Sequence, residues 1–291
     1  MKFLVLLSLI LCIQYNAITQ VPNTDIMLFD YATDDGEVAL SNPQLLTHFN
    51  SDGYNNQPSF FDDDLLYISS NYKGDANTEI FSLDLNRSKL TRVTKTTQSE
   101  YSPTLMPDGK HFSVIRQKNT DPMDQHLWQY PIDQSGEGKA IIDDLTNVGY
   151  HCWIGPYKVI MFLVGDPHQM VEYNIADGKQ EIIARDIGRS LHRRGNVLYY
   201  LEKVSRKFWY IKAYNFVYNT VEVVTQSLRE KEDFAITDDG TFIMSSGAFL
   251  FAYSPDKDKT WRKVVDFKEY GMSNVSRIAL TSNKMAMVNE R

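Results

Sequence analysis

Cysteine is almost missing from this chain. Its two copies are Cys12 and Cys152. Cys12 lies in an N-terminal apolar run, so a folded domain without that run keeps one thiol and no internal disulfide. Stability has to come from packing, which about 270 residues can supply because a chain of that size buries most of its apolar surface. Long apolar runs are just as scarce. Phe3 to Ile13, broken by Ser8, is about half of what spans a bilayer, and no later segment is long and apolar enough for a transmembrane helix. Basic clusters are missing too. Thirty Lys and Arg face 37 Asp and Glu for a net charge of −7, with no basic segment, which argues against a nucleic-acid partner. The nearest approach, Arg185, Arg189, Arg193 and Arg194, reads as a solvated face. No glycine-rich phosphate loop opens a helix. Ser245-Ser246-Gly247 lacks the nucleophile-elbow pattern. Asp62-Asp63-Asp64 lacks the glycine and spaced oxygens of a calcium loop and reads as a solvated turn.

What is present begins with an address. Lys2 precedes the apolar run, and the polar stretch Tyr15 to Gln20 offers Ala17 and Thr19 as small residues for cleavage. This is the pattern of a secretory signal peptide, assigned to residues 1–19, and it predicts a periplasmic or secreted protein. Residues 20–291 then form one domain, expected to be a monomer.

That domain repeats. A large apolar residue, a small or polar one and another residue, apolar in five of the six copies, recur just before a turn, at Phe29-Asp30-Tyr31, Leu83-Asp84-Leu85, Tyr130-Pro131-Ile132, Tyr173-Asn174-Ile175, Tyr214-Asn215-Phe216 and Tyr253-Ser254-Pro255. Their starts are 54, 47, 43, 41 and 39 residues apart, a period that marks a propeller or solenoid. A second marker opens each repeat, at Tyr54, Tyr101, Tyr150, Leu191, Phe234 and Val275. Turn residues such as Pro107-Asp108-Gly109 and Asp238-Asp239-Gly240 separate β-rich runs, as hairpins require. Each repeat therefore reads as four antiparallel strands, a propeller blade. The repeated aromatics read as blade-to-blade packing.

The ends complete the count. The last repeat has two strands after Val275, and the first has a third strand at Ile26 to Tyr31 and a fourth placed at Gln44 to Phe49. Two strands from each end make one blade. The expected fold is all-β, a six-bladed β-propeller of four-stranded antiparallel blades, with N-terminal strands pairing with C-terminal ones to close the ring and hide the sheet edges.

Gln57-Pro58-Ser59-Phe60 before an acidic turn, Tyr101-Ser102-Pro103-Thr104-Leu105-Met106-Pro107-Asp108-Gly109-Lys110, and the strand Glu79 to Leu85 resemble the repeat of TolB-like six-bladed propellers. The resemblance is strongest over residues 50–118. It implies a TolB-like propeller standing alone, because the segment before the first full blade is taken up by closing strands and leaves no room for TolB's α/β domain. It also implies partner binding at the propeller mouth.

Residues just after each repeat start should line one mouth of the channel. They are Asn55, Ser102, His151, His192, Ala235 and Ser276. The partner-binding set is therefore Asn55, Asn56, Tyr101, Ser102, His151, His192 and Arg193, for a protein or peptide partner in the cell envelope, or a glycan. No cofactor is expected under this non-catalytic reading. The alternative is one divalent metal ion in the channel on His151 and His192, serving a hydrolase or lyase, since related propellers use a metal at this place.

Overall fold

The computed structural model describes residues 22–34, 36–118, 121 and 123–291; the signal-like segment lies outside the described residues. The chain enters through β1 (Thr24–Asp34) and β2 (Glu37–Leu45). Blade I follows with β3 (Asn55–Asp62), β4 (Leu65–Ser70), β5 (Glu79–Asp84) and β6 (Lys89–Arg92). Blade II holds β7 (Ser99–Leu105), β8 (His111–Gln117), β9 (Gln125–Pro131) and β10 (Lys139–Ala140). Blade III holds β11 (Val148–Trp153), β12 (Lys158–Leu163), β13 (Gln169–Asn174) and β14 (Gln180–Arg185). Blade IV holds β15 (Ile187–Arg194), β16 (Val197–Lys203), β17 (Trp209–Asn215) and β18 (Thr220–Gln226). Blade V holds β19 (Phe234–Ile236), β20 (Phe242–Ser246), β21 (Phe249–Tyr253) and β22 (Arg262–Asp266). The chain ends with β23 (Val275–Leu280) and β24 (Lys284–Glu290), and the sixth sheet has the order β2-β1-β24-β23. Two strands from each terminus thus form one blade, with Thr24 opposite Glu290 and Phe29 opposite Met285.

One strand lies elsewhere than the repeat pattern suggests. The fourth strand of the closing blade is Glu37–Leu45, not Gln44 to Phe49. The reason is local. Gly36 takes a left-handed φ of 84°, so β1 turns back at once, and β2 runs alongside it from Glu37 opposite Asp34 to Leu45 opposite Met27. The residues beyond bend into a short 3-10 turn, His48–Asn50.

The core lies between blades rather than within one. Buried apolar side chains fall into six clusters, each joining two neighbouring blades. Between blades I and II, Tyr67 stacks on Phe61 at 3.7 Å and meets Phe112 at 5.4 Å. Between blade V and the closing blade, Phe29 lies 5.8 Å from Phe267 and 5.1 Å from Tyr270. Each such ring removed from water contributes roughly 2–3 kcal/mol, which ties the blades together without a disulfide. The repeat tyrosines Tyr130, Tyr173, Tyr214 and Tyr253 are buried in these clusters.

Candidate functional site in the propeller channel

The innermost strand of each blade lines the channel, and in five blades its pairing slips. The slips fall between Asn56 and Ser59, Tyr101 and Thr104, Val148 and Tyr150, Ile187 and Leu191, and Val275 and Ile278. A bulge leaves its extra residues unpaired and re-aims their side chains. Gln57 and Ser102 take positive φ at these points, 52° and 55°, and each precedes a proline that the interrupted ladder tolerates. Gln57 Oε1 accepts from the Ser102 amide at 2.8 Å, which locks the two bulges to each other.

The bulge residues and their neighbours converge on two connected spaces. A smaller cavity of about 170 Å³ is lined by Gln57, Ser102, His151, Arg189, Asp233 and Arg277 among others. A wider one of about 390 Å³ is bounded by Tyr54, Tyr101, Tyr150 and Arg277, with Gln117 and Gln125 at the ends of the β8–β9 loop. Gln57, Tyr150 and Arg277 border both.

Charge is concentrated here. Arg189 grips Asp233 with both arms: Nε donates to Oδ1 at 2.9 Å and Nη2 donates to Oδ2. Burial alone would raise the Asp233 carboxyl, but the Arg189 hydrogen bond and the charge of Arg277 hold it below the usual range. Arg277 Nη2 donates to Tyr150 Oη at 2.7 Å, and its guanidinium sits 5.2 Å from the Tyr150 ring centre. Tyr54 meets Tyr101 edge-on at 6.4 Å, and burial pushes the Tyr54 phenol up, so it stays protonated. Ser102 Oγ, Ser276 Oγ and His151 Nδ1 are buried polar atoms without a hydrogen-bond partner.

The mouth residues expected from the sequence separate into several places. Ser102 and His151 border the smaller cavity, as does His192, and Tyr101 borders the wider one. The two imidazoles turn to opposite neighbours. His151 Nε2 lies 2.6 Å from Ser113 Oγ in blade II, and that hydroxyl also accepts from Trp153 Nε1 at 2.9 Å. Ser113 can donate to the Thr104 carbonyl at 3.3 Å while accepting from both rings, which puts the proton on His151 Nε2 and leaves Nδ1 a bare lone pair without a partner. His192 packs on Phe234 of blade V with ring centres 4.8 Å apart. Burial drives both pKa values down, to about 3 for His151 and about 4 for His192, so both are neutral. Among the described residues, no group of three or more His, Cys, Asp or Glu is arranged to hold a metal ion.

Asn55 and Asn56 do other work. Asn55 is fully buried and its side chain is saturated by the protein. Nδ2 donates to the Thr24 and Asn50 carbonyls at 2.9 Å each, and Oδ1 accepts from Ser70 Oγ at 2.8 Å and Asn50 Nδ2 at 3.1 Å. With the Thr24 hydroxyl donating to the Asn55 carbonyl at 2.7 Å, this residue fastens the closing blade to blade I. Asn56 Oδ1 accepts from the Gln57 amide at 2.8 Å and shapes the bulge. Arg193 is exposed beside the β15–β16 hairpin, where Nε donates to the Gly195 carbonyl at 2.9 Å, four residues along the strand from Arg189. Of the arginines grouped as a solvated face, Arg189 is therefore the exception.

Arg189, Asp233 and Arg277 were not singled out from sequence as channel residues, although a signal exists. They are spaced 44 and 44 residues apart, one charged residue per repeat near the start of the innermost strand. Cys152 carries no chemistry at this site; burial pushes its thiol up to about 12, far from a reactive thiolate.

Fold and channel together define a six-bladed β-propeller with a charged, tyrosine-walled channel. No protein-family profile matches the chain, and no curated protein matches it. Solved structures share the architecture. A putative TolB from Agrobacterium tumefaciens superposes with a TM-score of 0.66 at 12% identity, over 93% of this chain and 99% of that one. A chain of a nidogen–laminin complex gives 0.63 at 11% identity, over 89% and 99%. An oligogalacturonate lyase from Vibrio parahaemolyticus gives 0.52 at 11% identity, over 92% and 98%. Likeness at these identities shows the fold, and the same fold carries binding proteins and enzymes alike.

Proposed function

We propose that this protein is an exported, non-catalytic binding scaffold that takes a protein, peptide or glycan partner at its channel mouth. The observation that carries this reading is the convergence of Gln57, Ser102, Tyr150, Arg189, Asp233 and Arg277, one from each of the six blades, on a single open space. A rigid ring presenting one polar side chain per blade holds a recognition surface in place with little ordering cost on binding. The wider cavity, walled by Tyr54, Tyr101 and Tyr150, supplies flat amphipathic contact area suited to peptide or sugar.

Peptide and glycan arrays probed with the wild-type protein and with Tyr101→Ala/Tyr150→Ala test it. Array ligands should be lost in the double variant while its thermal unfolding stays cooperative. Ligands retained at wild-type strength would remove the mouth from the reading. The second reading, a metal-dependent hydrolase or lyase, is favoured by the bare lone pair on His151 Nδ1. Metal analysis of the purified protein separates the two. One equivalent of divalent metal that disappears in His151→Ala would favour the enzyme.

A further inference from the structure

Resting on the channel-binding reading, we infer that the ligand presents a carboxylate, and that Arg277 is the residue that receives it. A guanidinium has five N–H donors in a planar fork. Among its described hydrogen bonds, Arg277 uses one of them, on the neutral phenol of Tyr150. No carboxylate of the described residues lies within ion-pair distance of it. The nearby acids are engaged elsewhere. Both oxygens of Asp233 are held by Arg189. Glu232 accepts from the Arg189 amide at 3.1 Å through Oε2 and pairs with Lys203 through Oε1. His151, His192 and Tyr54 are neutral in this setting, because burial disfavours their charged forms. Arg189 and Arg277 share one carboxylate, Asp233, so the three groups that line the smaller cavity sum to one net positive charge.

Geometry and charge select the class of ligand. Arg277 borders both cavities, within reach of a ligand held in either. A carboxylate offers two coplanar acceptor oxygens that match the guanidinium fork. It also carries one negative charge, equal to the excess. A phosphate dianion would bring a second charge next to Asp233. The cavities, about 170 and 390 Å³, admit a carboxylate on a body the size of an amino acid or one sugar ring. A peptide terminus or side chain and a sugar acid share this chemistry.

Calorimetric titration of the full protein tests the inference with N-acetylglycine and glucuronate as acids. N-acetylglycinamide and glucose are their neutral counterparts, and inorganic phosphate is the dianion. At least one acid should bind on the order of 10-fold or more tighter than its neutral counterpart and than phosphate, the range expected for a charge-assisted pair. Which acid responds identifies the source of the carboxylate. Arg277→Met should weaken that acid by a similar factor, and Arg277→Lys, which keeps the charge without the fork, should fall between. The comparison of acid with neutral probe uses the wild-type protein alone, so it stands even if a variant folds poorly. Acid and neutral probes binding alike, a preference for phosphate, no acid binding, or full affinity in a folded Arg277→Met would each overturn the inference. Neutral probes that bind as tightly as the acids and are lost in Tyr101→Ala would overturn it while leaving the mouth-binding reading standing.

Discussion

Replacing Glu100 by glutamine should free the propeller from a stability loss that grows as the pH rises. Glu100 on β7 is fully buried and faces Glu79 on β5, across the junction of blades I and II. Glu79 is the carboxylate of the pair: it accepts from Arg92 Nη2 at 3.1 Å, Thr94 Oγ1 at 2.6 Å and the Thr96 amide at 2.7 Å. Glu100 Oε1 accepts from Thr96 Oγ1 at 2.9 Å and Tyr130 Oη at 3.0 Å, while its Oε2 finds no donor. Two carboxyls can hydrogen-bond only if one carries a proton, and here it is Glu100. Burial, then the hydrogen bond and charge of Glu79, push its pKa up from 4.5 to about 8. The sign follows from proton linkage. Between 4.5 and 8 the folded state holds a proton that the unfolded state has lost, so raising the pH favours unfolding. Each pH unit in this window costs about 1.4 kcal/mol, or about 3 kcal/mol between pH 5 and pH 7. Glutamine keeps the two acceptor bonds and donates to Glu79 at every pH. Relative to wild type, Glu100→Gln should gain roughly 3 kcal/mol between pH 5 and pH 7, which is about 8 °C in Tm for a domain of this size. Thermal melts of both proteins at half-unit pH steps read this difference directly. A difference that stays constant from pH 5 to pH 8 would show that Glu100 carries no extra proton. A carboxylate paired with Arg116, whose Nε lies 3.5 Å from Oε1, would give that constant difference, because it would be ionised in both the folded and unfolded states above about pH 5.

Two further outcomes follow from the same physics. Asn55→Ala should cost about 2–4 kcal/mol in urea unfolding, because it strands several buried groups where the closing blade meets blade I; a loss below about 1 kcal/mol would mean that this network does not fasten the ring. The His151 and His192 imidazoles should show no titration by NMR between pH 7 and pH 5, since their folded pKa values lie near 3 and 4. Their unfolded counterparts do titrate there, so these residues contribute a stability that is lost as the pH falls through 6.5, opposite in sign to Glu100; a midpoint near 6.5 for either imidazole would refute its burial.

The blade count, the strand order and the closure of the ring were legible in the chain because they rest on short-range rules. Alternation of apolar and polar residues sets strand faces, Asp, Asn and Gly set the hairpins, and the leftover strands at each end can be satisfied only by each other. The error in β2 has the same origin. The apolar residues of Gln44 to Phe49 imitate a strand, while the tight reversal at Gly36 depends on one residue's left-handed φ.

The channel was only half legible. Counting from the repeat starts reached Ser102, His151 and His192, which border the smaller cavity. It did not find the charged centre, because a one-residue change of register in a strand moves a side chain to the other face, and bulges make such changes without leaving a motif. Pairing slips surround Arg189 and Arg277 on the cavity wall, while Asn55, still in register opposite Ser70, fastens the closing blade to blade I. By itself, then, the sequence determined a closed six-bladed ring, since the pattern of turns and apolar residues is a local property of the chain. Tertiary structure alone decided which side chains share the channel and that, among the described residues, Arg277 stands there with no carboxylate at ion-pair distance. Those facts depend on residues far apart in sequence meeting at the axis, where each blade contributes one position and the sum of their charges is not zero.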